Sequence, residues 1–168
     1  MFKTSPKLAQ KEDDPMRCKL LPFGLLMTAA FAAGSSSVYA ERLPGSNHGG
    51  RPLIAHMTGA QETPPNASPG TGTTEITVNV GQSEICWSLT VQNLLAAVTA
   101  AHIHVAPAGV AGPIVVPLTP PTSGSSHGCG TVDNDLAKDI LQHSEAYYVN
   151  VHTTLFPAGE IRGQLSKA

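Results

Sequence analysis

Apolar and polar positions alternate along most of the second half of the chain. Thr74, Ile76, Val78 and Val80 share one parity, with Glu75, Thr77 and Asn79 on the other. After Gly81-Gln82, the residues Ile85, Trp87, Leu89 and Val91 alternate with Cys86, Ser88 and Thr90. Two period-2 runs around a short glycine turn predict a hairpin with one buried face. A third inward set, Ala101, Ile103 and Val105, is interleaved with His102 and His104 and broken by Pro107-Ala108-Gly109. Short strands are also predicted over 53–58 and 114–118. In the next run Tyr147, Val149 and Val151 alternate with Tyr148, Asn150 and His152. Pro157-Ala158-Gly159 then turns the chain into a last strand over 160–165. There Ile161 and Leu165 point one way, and Glu160, Arg162 and Gln164 the other. Segments 61–73 and 119–130 carry turn residues and read as loops. Asp133 or Asn134 caps a short helix with Leu136, Ile140 and Leu141 on one face. The expectation is an all-β domain of about seven strands, a small antiparallel β-sandwich or barrel with one short helix.

Composition supports that class. The 168 residues include 16 glycines and 14 prolines, and only 13% are charged. From Glu41 onward there are five Lys/Arg against nine Asp/Glu, a net charge near −4 without a basic stripe. Nucleic acid is therefore not an expected partner.

The N-terminus predicts export. Arg17 and Lys19 precede a mostly apolar stretch over 20–33, and Val38-Tyr39-Ala40 fits a cleavage site after Ala40. The fifteen residues before Met16 carry three acids and do not fit a signal n-region, so Met16 is the expected start. Residues 1–40 are thus read as a signal peptide with an upstream extension, and 41–52 as a flexible leader. The mature domain spans 53–165 and is expected in the periplasm or secreted, with no membrane span once the signal is cleaved.

Cleavage removes Cys18 and leaves Cys86 and Cys129. In an oxidising compartment these are expected to form a disulfide, with two buried thiols as the alternative. Because Cys86 has the opposite parity to Trp87, the bridge would pin a loop to the outer face of that strand.

The candidate chemistry lies on the His-Ile-His strand. Side chains two apart on a strand share a face, so His102 and His104 stand together, with Cα atoms about 6.7 Å apart. His152 has the outward parity in its own strand. If the two strands are neighbours, three neutral imidazoles converge, a set suited to copper or zinc. Glu160 is a candidate fourth ligand or a partner orienting a histidine. The competing reading is a polar face whose imidazoles hydrogen-bond to Asn150, Thr153 or backbone. Glu160 and Arg162 share a parity and can pair as an exposed ion pair of little energetic weight. Glu62 is read as capping the loop before Pro64-Pro65. His48, His56, His127 and His143 are scattered and read as solvated. No phosphate loop is present and the sequence places no two carboxylates as an acid/base pair, so a nucleotide-binding reading has no support.

Four blocks together resemble the chordin (CHRD) domain. They are Thr58-Gly-Ala-Gln-Glu-Thr-Pro-Pro65, Ala100-Ala-His-Ile-His104 followed by Gly112-Pro113, Tyr148-Val-Asn-Val-His-Thr153, and Gly159-Glu-Ile-Arg-Gly-Gln-Leu165. They occur in the family's order over roughly 53–165. The resemblance implies an extracytoplasmic β-sandwich, immunoglobulin-like or superoxide-dismutase-like. In animals such domains sit in chordin, which binds secreted growth factors. Single-domain exported bacterial proteins also carry them, and this chain looks like that type. His56 stands where the family pattern often has an apolar residue.

A fainter likeness is to the copper side of copper–zinc superoxide dismutase, in its His-x-His strand and third histidine. The bridging histidine and zinc-ligand cluster of that enzyme are missing. The expectation is a non-catalytic binding module for an extracytoplasmic macromolecule, or alternatively a copper or zinc binder using His102, His104 and His152. Redox activity of the dismutase type is the weaker extension of the second reading.

Overall fold

A computed structural model describes residues 49–168. The expected signal segment, its proposed start and most of the leader lie outside the described residues. Among the described residues there are nine strands and one α-helix. They are β1 (Arg51–Thr58), β2 (Thr71–Asn79), β3 (Glu84–Gln92), β4 (Val98–Val105), β5 (Ile114–Leu118), β6 (Ser125–Thr131), α1 (Asn134–Gln142), β7 (Tyr147–Thr153), β8 (Ile161–Gln164) and β9 (Ser166–Lys167). The first strand begins two residues ahead of the expected 53–58.

The strands form one antiparallel sheet in the order β5-β4-β7-β8-β1-β2-β3-β6, with β9 beside β1. At its middle, β1 and β8 are paired only at Thr58↔Arg162. Both halves nevertheless bury their apolar faces in one core. Ile76, Leu89 and Ile85 come from one half, and Ile103, Val149 and Ile161 from the other, all without exposed surface. The fold is therefore all-β with one short helix, built as a single continuous sheet around a shared core.

The predicted hairpin is present with Ile76 opposite Trp87. Its turn runs through Val80, Gly81 and Gln82 and closes at Ser83, which adopts a left-handed backbone. Asp133 caps α1 by accepting from the backbone N–H groups of Asp135 and Leu136. Ala137 and Ile140 are the helix's buried contacts with the sheet.

One expected loop is a strand. Residues 125–131, read within a loop over 119–130, form β6 and pair along β3. Their sequence, Ser-Ser-His-Gly-Cys-Gly-Thr, lacks apolar alternation for a steric reason. Gly128 lies against the Trp87 indole, where a Cβ would come within 2.7 Å of the ring. The indole supplies the apolar surface, and glycine makes room for it. The disulfide between Cys86 and Cys129 consequently joins two directly paired strands instead of fastening a loop.

The bridge links residues 43 apart. Closing a loop of that length is worth about 4 kcal/mol in the chain-entropy relation. Reduction should add the mass of two hydrogens. It should also lower the unfolding free energy by roughly 2–4 kcal/mol in denaturant titration. An unchanged mass on reduction would refute the pairing.

Candidate functional site

Strand β4 carries His102 and His104 on the face opposite to Ala101 and Ile103, which are in the core. Its neighbour is β7, in a register that places Ala100 opposite His152, Asn150 opposite His102, and Tyr148 opposite His104. The condition set by the sequence is thus met: the three imidazoles share one face of adjacent strands. Their ring centroids lie 4.9 Å (His102–His152), 5.6 Å (His102–His104) and 6.2 Å (His104–His152) apart. One ring nitrogen from each falls within 4.8 Å of the others.

Two backbone carbonyls fix the tautomers. The Nδ1 of His104 lies 2.8 Å from the Gly112 carbonyl, and the Nδ1 of His152 lies 3.0 Å from the Pro157 carbonyl. A carbonyl only accepts, so in the neutral rings both Nδ1 atoms carry the hydrogen. Both Nε2 atoms therefore present lone pairs. That of His152 meets His102 Nδ1 at 3.1 Å. That of His104 is buried and has no hydrogen-bond partner. A buried polar atom left unpartnered costs about 1–3 kcal/mol, and here it faces two other imidazoles.

The loop after β4 is shaped to deliver the first carbonyl. Pro107-Ala108-Gly109 turns the chain, with Val110 N–H donating to the Pro107 carbonyl and Gly109 at φ +77°. Gly112 then passes so close to β4 that a Cβ would sit 1.9 Å from the Val105 carbonyl oxygen. A second Pro-Ala-Gly turn, 157–159, follows β7 and delivers the Pro157 carbonyl. Gly159, at φ +132°, leaves the space beside Glu62 and Asn150 that a Cβ would fill.

Tyr148 and Arg162 complete the setting. The His104 ring stacks on Tyr148 at 4.8 Å and 9°. The Arg162 guanidinium carbon lies 3.4 Å from the centroid of the same tyrosine ring. The guanidinium donates to the carbonyls of Val110 (2.8 Å) and Pro107 (2.9 Å), and to Thr63 Oγ1 and Gln164 Oε1. Tyr148 Oη accepts from Gly112 N–H at 3.2 Å. Gly112 is thus held on both sides, its N–H by Tyr148 and its carbonyl by His104.

The expected Glu160–Arg162 surface pair is corrected. Both residues are essentially fully buried, and the two groups have different partners. The Glu160 carboxylate accepts from Ser68 Oγ, Leu95 N–H and Thr153 Oγ1, each at 2.7 Å. It ties three segments together and is not in the group formed by the three histidines. Glu62 ends a 3-10 turn, and its own N–H donates to the Gly59 carbonyl. Its side chain is buried, with Oε1 unpartnered. His56, His127 and His143 lie on exposed positions away from the cluster, and His48 lies outside the described residues.

Burial, helped by His152 and His104, pushes the His102 ring from an ordinary 6.5 down to about 4. Burial lowers His152 as well, against the opposing pull of the Pro157 carbonyl, with His104 adding to the lowering. Burial raises the Glu62 carboxyl from 4.5 to about 7, although its backbone hydrogen bond at Thr63 and the charge of Arg162 pull it down. Burial thus favours the neutral form of His102 and His152, the form that binds metals.

These features define a small all-β domain with three histidines gathered on one face of adjacent strands. The chain belongs to the CHRD-domain family, whose model matches residues 53–165. No curated protein and no solved structure matches it significantly. Sequence reasoning named the three histidines. It missed the parts played by Tyr148 and Gly112, although both fall inside the blocks that carry the family resemblance.

A basic group whose folded pKa is depressed contributes stability that is complete above its unfolded value and lost as pH falls. For His102 the loss should run from about pH 6.5 down to about 4. Metal-free protein should therefore lose stability over that window in urea titrations, and His102→Ala should flatten the slope. Glu62 acts in the opposite sense. Its stabilisation is complete below 4.5 and is lost as pH rises through about 7, so Glu62→Gln should remove a decline there. Equal slopes in variants and wild type would contradict both assignments.

Proposed function

We propose that this domain is a non-catalytic extracytoplasmic binding module that holds one copper or zinc ion between His102, His104 and His152. The supporting observation is the buried, unpartnered Nε2 of His104, close to two imidazoles, with one ring nitrogen of each of the three within 4.8 Å of the others. In the metal-free protein, a shared proton joins His102 Nδ1 to His152 Nε2. To bind a metal ion through Nδ1, His102 would move its hydrogen to Nε2 and stay neutral, and the same ion would also satisfy His104. The Gly112 and Pro157 carbonyls would act as outer partners, fixing ring orientation as they do in metal sites generally. Such partners make affinity depend on residues that never touch the ion. Glu160 supports the site from a distance, through its bond to Thr153 beside His152.

The disulfide and the family membership support export to the periplasm or beyond. Among the described residues, no helix is long and apolar enough to cross a membrane. Recognition of an extracytoplasmic macromolecule is the second reading, supported by family membership alone.

Purified mature protein should take up one equivalent of zinc or copper by calorimetry and elemental analysis. His104→Ala should weaken binding at least tenfold, with the fold retained by circular dichroism. Sub-stoichiometric uptake, or equal affinity in wild type and variant, would refute the metal reading.

A further inference from the structure

We infer that the three-histidine site selects copper(I) over divalent ions, and that the buried charge of Arg162 sets this preference. The inference rests on the metal-site reading and goes beyond it in naming the charge of the ion.

The donor set is neutral. Three imidazoles gather, and the group contains no carboxylate. Glu160, the acid that the sequence places nearest, is fully engaged by Ser68, Leu95 and Thr153. A divalent ion here would keep its whole charge in a half-buried setting, whereas copper(I) carries half of it.

A buried positive charge stands behind His104. Arg162 is 1% exposed and stays protonated. Its position over Tyr148, with His104 stacked on the same tyrosine, puts it within about 8 Å of the His104 ring. At that range, and at an effective dielectric of about 20, one extra unit of charge is disfavoured roughly thirtyfold in affinity, and on an ion bound beyond the ring on the order of tenfold. The acid that offsets Arg162 is Glu62, and its raised carboxyl pKa weakens the offset near neutral pH.

Coordination number is compatible with that choice. Copper(I) accepts three nitrogen ligands alone, whereas zinc would add a water and copper(II) would need a further ligand to complete a tetragonal set. Here the protein supplies three ligands, and two of their nitrogens already sit 3.1 Å apart.

The test compares affinities at one pH under anaerobic conditions. Copper(I) is titrated against a chromophoric copper(I) chelator, zinc(II) against a zinc indicator, and copper(II) against glycine. Wild type should bind copper(I) at least tenfold more tightly than either divalent ion. Arg162→Gln should narrow that gap about tenfold, Arg162→Lys should preserve it, and Glu62→Gln should widen it. If Arg162→Gln does not fold, the Glu62→Gln arm decides the role of the buried charge. Divalent binding as tight as copper(I) would overturn the inference and leave the metal site standing. No metal binding would remove both. An unchanged gap in the folded charge variants would overturn the role of Arg162.

Discussion

Burying a guanidinium is tolerable only when its donors are satisfied, because the desolvation cost is several kcal/mol. Arg162 meets that condition by drawing other segments to itself. It takes two carbonyls from the loop after β4, a hydroxyl from the loop after β1, and the face of Tyr148 on β7. It does so from the one place where the two halves of the sheet meet, since its own backbone pairs with Thr58. The polar face therefore has a fixed centre. The loop that carries Gly112, the ring on which His104 stacks and the turn that carries Glu62 all take their positions from it.

The two histidine strands repeat one device. Each runs into a Pro-Ala-Gly turn, and each receives back a backbone carbonyl on an imidazole Nδ1. Carbonyls are good orienting groups because they do not titrate and cannot change role from acceptor to donor. The same arrangement explains why glycine is required at Gly112 and Gly159. At the first, backbone passes against backbone. At the second, a left-handed turn also has to leave space for Glu62 and Asn150.

Much of this was legible in the sequence, and the reasons are physical. Period-2 alternation exposed β2, β3, β4 and β7, because each has one face in the core. Parity put His102, His104 and His152 on outward faces, and the pairing of β4 with β7 brought them together. β6 was illegible because its apolar contribution is the indole of another strand. Arg162 and Glu160 were misread as a surface pair because parity assigns a face and not a depth. Loops fold over this polar face and bury it, and nothing in an alternation pattern records what a loop covers. Tyr148 and Asn150 were hidden in the same way. Their parity is that of an outer face, yet they are 3% and 2% exposed.

The distribution of unsatisfied groups gives this burial its meaning. Among the described residues, four buried side-chain atoms lack a partner, belonging to Glu62, Trp87, His104 and Asn150. Three of these surround the histidines or Arg162. The register places Asn150 between His102 and Arg162, and Glu62 faces Arg162. Each such atom lowers stability by an amount that a hydroxyl or amide in the right place would recover. The apolar core and the cross-strand disulfide lie on other parts of the sheet and can absorb that cost. A domain shaped for stability alone would have paired these atoms. Their concentration on one covered face, beside imidazoles oriented by backbone carbonyls, is the pattern expected where local stability is given up for a binding site.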